Sequence, residues 1–102
     1  MSQSINQLIH TVATQVGEGL QRINAKVTVA ESCTGGGIAE AITAVAGSSQ
    51  WFEYGFITYA NKAKVQLLDV EQSLLDTYGA VSEQVVEQMA AGAVRASNSD
   101  YA

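Results

Sequence analysis

Two side chains able to act as nucleophiles stand side by side in this chain, and candidate bases for them are few. Ser32 and Cys33 lie in the polar, glycine-rich stretch Glu31-Ser32-Cys33-Thr34-Gly35-Gly36-Gly37. A hydroxyl nucleophile needs a partner to take its proton. The single histidine, His10, falls on a helix-periodic segment and reads as a surface residue, so a Ser–His–Asp relay is not available. The base must come from Arg22, Lys26, Lys62, Lys64 or Arg95, the five basic residues. Lys62 and Lys64 directly follow an aromatic run. With Asn61 as N-cap, Lys64 is the third helical residue, where the positive end of the helix dipole favours the neutral amine that a serine base requires. Blander readings stand beside this one: both lysines can be solvated, and Ser32 or Thr34 can simply cap the next helix. Cys33 is a rival nucleophile, because a helix N-terminus activates a thiol. A cysteine without a neighbouring histidine is more often inert.

The elements that would carry these residues follow from periodicity. Ile5, Leu8, Ile9, Val12, Val16, Leu20 and Ile23 recur at helical spacing and predict an amphipathic helix with that face buried, ending near Asn24. Lys26–Ala30 is short and β-branched, a strand. The glycine turn follows, then an alanine-rich helix over Ile38–Val45, broken by Gly47-Ser48-Ser49. The aromatic run after Trp51 predicts a strand within Tyr54–Ala60. Three helices complete the chain: one from Asn61 to Leu68, one over Glu71–Tyr78 stopped by Gly79, and a last one capped by Ser82. Ser99-Asp100-Tyr101-Ala102 reads as the entry to a further strand. This order predicts an α/β layer fold with few strands. A strand that runs into a glycine turn and a helix brings its last side chains to the carboxyl edge of the sheet, where ligands bind in open α/β folds. The helix start offers unpaired N–H groups for an oxyanion or phosphate.

Composition narrows the classes. With 47% hydrophobic and 15% charged residues in 102, the chain is globular and large enough for one small domain. One cysteine cannot build a disulfide framework or a cysteine-rich zinc site, and one histidine argues against a His-based metal site. A net charge of −5 without a basic stripe disfavours nucleic acid as a partner. No apolar run approaches the ~20 residues that span a bilayer, and Met1-Ser2-Gln3-Ser4 lacks the basic flank of a signal peptide. A cytoplasmic location is expected, with no membrane partner.

Longer motifs carry a resemblance. Val29-Ala30-Glu31-Ser32-Cys33-Thr34-Gly35-Gly36 is similar to the opening motif of the CinA C-terminal domain family. The similarity continues through Ala46-Gly47-Ser48-Ser49-x-Trp51-Phe52-x-x-Gly55-Phe56-Ile57-Thr58-Tyr59-x-Asn61-x-x-Lys64 and Gly79-Ala80-Val81-Ser82-Glu83. The resemblance implies hydrolysis of the carboxamide of nicotinamide mononucleotide, in pyridine nucleotide salvage, without a metal or organic cofactor. It implies Ser32 as nucleophile, Lys64 rather than Lys62 as base, and Tyr59 close to the pair. It places Cys33, Thr34, Gly35, Gly36 and Ser48 near a nucleotide substrate. It also implies that the family's domain continues into another strand and a second glycine-rich segment. Residues 1–102 are therefore expected to be the N-terminal portion of one helix–sheet–helix domain, apparently truncated at its C-terminus. An unfinished sheet favours self-association, and a homodimer is expected. The alternative is a non-catalytic nucleotide-binding or competence-related accessory module of the same fold.

Overall fold

The computed structural model describes residues 3–102; Met1 and Ser2 of the N-terminal segment read above lie outside the described residues. Helix α1 spans Ile5–Arg22 and starts with a capping box, in which the Gln7 N–H donates to Ser4 Oγ and the Ser4 N–H donates to Gln7 Oε1. Asn24 takes a left-handed conformation (φ 53°) just beyond its end and turns the chain into the sheet. Here one expectation is corrected. Of the predicted buried stripe only Leu20 is buried; Ile5, Leu8, Ile9, Val12, Val16 and Ile23 remain 44–69% exposed. The helix instead sits down on Ala13, Gly17 and Leu20. The small residues decide this, because a Cβ on Gly17 would lie 2.5 Å from the Trp51 indole.

Strand β1 is Val27–Glu31 and strand β2 is Phe52–Ile57, paired in parallel with Val29 opposite Gly55 and Glu31 opposite Ile57. Both strands are displaced from the sequence expectation, and the ladder shows why. The Val27 N–H donates to the Trp51 carbonyl at 3.0 Å, so β2 begins early. The Thr58 N–H donates to the Glu31 carbonyl at 2.9 Å, which keeps Glu31 in β1. Helix α2, Gly37–Thr43, makes the crossover, followed by a 3-10 turn at Ser48–Gln50 that Gly47 opens with a φ of 78°. Tyr101 bridges to Val27 in parallel on β1's other side, in keeping with Asp-Tyr-Ala as the entry to a strand.

The remaining helices are α3 (Asn61–Leu68), α4 (Gln72–Tyr78) and α5 (Glu83–Ser97). Ser82 caps α5 as expected, its Oγ accepting the Val85 N–H at 3.3 Å. Asn61 is not the cap of α3. Ala60 holds the N-cap position with extended backbone, and Asn61 is the first helical residue.

Two hydrophobic clusters flank the sheet. Leu68, Val70, Leu75, Val85, Met89 and Ala93 form one, against Ala30 and Phe56. Leu20, Ala25, Val29, Ile42 and Trp51 form the other, with Ala39 and Phe52. Alternation along β1 sends Val29 to one cluster and Ala30 to the other. Each fully buried Leu, Val or Met contributes about 1.5–3 kcal/mol, and the two clusters hold the sheet between α1–α2 and α3–α5. No described helix is long and apolar enough to cross a membrane.

Candidate active site

Because β1 and β2 are parallel, both finish at the same edge. Ser32 follows the end of β1, and Thr58 and Tyr59 follow the end of β2. Lys64 reaches this edge from α3. As the fourth helical residue, not the third, it already donates its own N–H to the Ala60 carbonyl. Side chains of a helix lean toward its N-terminus, and Lys64 is turned back across the strand ends. Its Nζ donates to Ser32 Oγ at 3.0 Å, to the Thr58 carbonyl at 2.9 Å and to the Tyr59 carbonyl at 2.9 Å. Those three bonds use the full donor capacity of an ammonium. The side chain is 1% exposed, and no carboxylate lies within 4.0 Å of its amine among the described residues.

The other residues singled out in the sequence fall in different places. Tyr59 joins the pair through its backbone carbonyl, while the residue is 76% exposed. Lys62 is exposed. Cys33 and Thr34 line a cleft of about 530 Å³ beside Ser32, whose far wall is Ala80, Val81, Ser82 and Glu83 at the start of α5. Gly35 and Gly36 bend the turn, with φ of 60° and 102°. A Cβ on Gly36 would also meet Ile57 Cδ1 at 3.0 Å, so this position both turns the chain and lets it approach β2. Ser48 is not brought to the cleft; it is buried at the start of the 3-10 turn ahead of Trp51. His10 is exposed on α1. Among the described residues no group of three His, Cys, Asp or Glu is arranged to hold a metal ion.

One residue of the site escaped the sequence reading. Glu31 is 2% exposed and ends β1 directly before the serine. Its Oε1 accepts the Thr34 hydroxyl at 2.7 Å and the Ile38 N–H at 3.0 Å, and its Oε2 accepts the Ala39 N–H at 3.0 Å. Burial pushes this carboxyl up, but the amide of Ile38, the hydroxyl of Thr34 and the amides of Ala39 and Gly36 outweigh it and hold the group below its ordinary value. A signal was available: an acidic residue seven and eight positions ahead of amides that need a cap.

Parallel strands layered between helices, with a serine and a buried lysine in hydrogen-bond contact at their carboxyl edge, define a layered α/β protein with a candidate site at that edge. Residues 9–102 match the CinA C-terminal domain, and the chain belongs to that family. It is 57% identical over 94 residues to the nicotinamide-nucleotide amidohydrolase PncC of Pseudomonas putida, covering 92% of this chain and 59% of that protein. A CinA-like protein of Colwellia psychrerythraea is 56% identical over 81 residues, 79% of this chain but 19% of that protein. The crystal structure of a competence-damaged protein (CinA) superfamily protein from Escherichia coli superposes with a TM-score of 0.90 at 33% identity, over 98% of this chain and 58% of that one. The chain thus spans less than two thirds of the amidohydrolase relative's length.

Proposed function

We propose that the protein is an amidohydrolase that converts nicotinamide mononucleotide to nicotinate mononucleotide and ammonia, in pyridine nucleotide salvage, with Ser32 as nucleophile and Lys64 as base. The observation that carries this reading is the 3.0 Å contact between Lys64 Nζ and Ser32 Oγ, with the other two directions of the amine committed to carbonyls. A carbonyl can only accept. A neutral amine in this cradle gives its two N–H groups to Thr58 and Tyr59 and keeps its lone pair for the Ser32 hydroxyl.

The steps follow from that orientation. Ser32 Oγ attacks the carboxamide carbon while its proton passes to Lys64. The tetrahedral intermediate collapses as the C–N bond breaks, and the Lys64 ammonium returns a proton to the leaving ammonia. Water then attacks the acyl-serine and gives a proton to Lys64; the ester C–O bond breaks, Lys64 returns that proton to Ser32 Oγ, and the carboxylic acid leaves. Tyr59 contributes its carbonyl to the cradle of the amine. The cleft suits the proposed substrate, since Ile38, Val81, Val86 and Met89 offer apolar surface to a flat ring and Glu83 brings a carboxylate suited to a cationic pyridinium. The name borne by the Pseudomonas putida relative supports a nicotinamide nucleotide as the substrate.

The test is ammonia release from nicotinamide mononucleotide by the wild type beside Ser32→Ala and Lys64→Ala. Each substitution is expected to lower turnover by at least about 10³-fold. If both variants keep the wild-type rate, the assignment of the pair is wrong. A second reading, a nucleotide-binding accessory module, draws on the Colwellia relative, in which the matched region is a minor part of a longer protein. Nucleotide binding without turnover by the wild type would favour it.

A further inference from the structure

Glu31 is almost wholly buried yet makes no hydrogen bond to Ser32 Oγ or Lys64 Nζ. A buried carboxylate is costly unless its oxygens are satisfied, so its partners indicate its role. Ile38 and Ala39 are the second and third residues of α2, whose N–H groups have no acceptor inside the helix. Glu31 takes both. The first helical N–H, of Gly37, donates to the Thr34 carbonyl at 3.0 Å, and the Gly35 N–H donates to the Ser32 carbonyl at 3.1 Å. The start of α2, which the sequence offered as a place for an oxyanion or phosphate, is therefore filled by the protein's own side chain.

Of the turn's amides, those of Ser32, Cys33 and Thr34 are left over among the described residues. Neither the Cys33 nor the Thr34 N–H donates to a protein acceptor among the described residues, and both residues line the cleft with Ser32. The Thr34 hydroxyl is tied to Glu31 Oε1 at 2.7 Å, so Ser32 and Cys33 hang between two residues locked to each other.

We propose that Glu31 is the positioning residue of the serine turn: by clamping Thr34 and the start of α2, it sets the free Cys33 and Thr34 amides as the donors that face the oxyanion formed on Ser32. The proposal rests on Ser32 being the nucleophile. Its energetic logic is preorganisation, since donors fixed before the reaction need no rearrangement as charge develops.

Amide hydrogen exchange followed by NMR tests the clamp without any need for turnover. In the wild type the Ile38 and Ala39 amides are expected to be protected and their signals to shift together as Glu31 titrates, while Cys33 and Thr34 exchange freely. In Glu31→Gln, which keeps the shape but loses the charge, protection at Ile38 and Ala39 falls at least about 10-fold. Turnover of nicotinamide mononucleotide by the same variant drops about 100-fold in kcat with KM within about 3-fold, the split expected when donors used only in the transition state are displaced. Unprotected Ile38 and Ala39 in the wild type overturn the clamp. A folded Glu31→Gln that keeps wild-type kcat overturns its catalytic consequence. A Ser32→Ala variant that still turns over defeats the nucleophile assignment instead, and the exchange pattern then decides the clamp by itself.

Discussion

Helices cover both faces of the sheet, but to different depths. On the face of α3, α4 and α5 the core is closed: Leu68, Val85 and Ala93 are each 0% exposed. On the face of α1 and α2 the inner layer is closed around Trp51, while the apolar stripe of α1 stands open beyond it. Small residues set the difference. A Cβ on Gly92 would run into the Leu68 carbonyl oxygen, so α5 and α3 touch backbone to backbone. The site draws one group from each face. Lys64 comes from the closed face and is fixed by packing; the Ser32 turn leads into α2, a short helix with only Ile42 buried, and is braced by Glu31. A buried lysine can be held by a core, whereas a serine turn at a thinly packed edge needs its own hydrogen bonds.

Urea unfolding of single variants can break or sharpen this contrast. Gly92→Ala carries the largest expected effect, about 3 kcal/mol, because helix backbone must move. An unchanged midpoint would show that the closed face is not closely packed there. For Gly17→Ala a net loss of about 1 kcal/mol is expected: the indole of Trp51 must shift, while alanine regains about 1 kcal/mol of helix propensity. Val12→Ser, at a position 50% exposed, should stay within about 0.5 kcal/mol. A loss near 2 kcal/mol at Val12 would mean that the open stripe is covered in solution. The pH dependence of stability bears on the brace between the faces. Glu31 is held below its ordinary value of about 4.3, so its stabilising contribution is complete above that pH and is lost as pH falls through the folded value. Glu31→Gln should flatten the acid limb of the stability curve; an identical limb would separate Glu31 from it.

Much of the fold was legible because local signals agreed with the tertiary outcome. The Ser82 cap, the glycine turn after β1, the breaks at Gly47 and Gly79 and the approach of Tyr101 to the sheet all follow from residue chemistry that acts over a few positions. What failed depended on distant partners. The periodic stripe on α1 showed which face is apolar, not which face is covered; Gly17 against Trp51 decided that from 34 residues away. Strand ends shifted because cross-strand bonds at Trp51 and Thr58 set them. Asn61 is a strong capping type, yet Ala60 holds the cap, and this moved Lys64 one position along the helix. Glu31 looked like the polar end of a strand, because no local pattern announces a carboxylate that reaches Ile38 and Ala39.

The bridge from Tyr101 to Val27 has a consequence for the order in which the molecule assembles. The Lys26 N–H donates to Asp100 Oδ2 across 74 positions, and the Thr28 N–H donates to the Tyr101 carbonyl, whereas the Lys64 amine meets Ser32 across 32. Contacts so far apart along the chain are slow to form. As synthesis proceeds, β1 is made before β2 and the later helices, yet it gains its second neighbour only after α5 has emerged. The serine is thus built early and anchored late, and a growing chain can bring Lys64 near it before the strand beneath it is held on both sides.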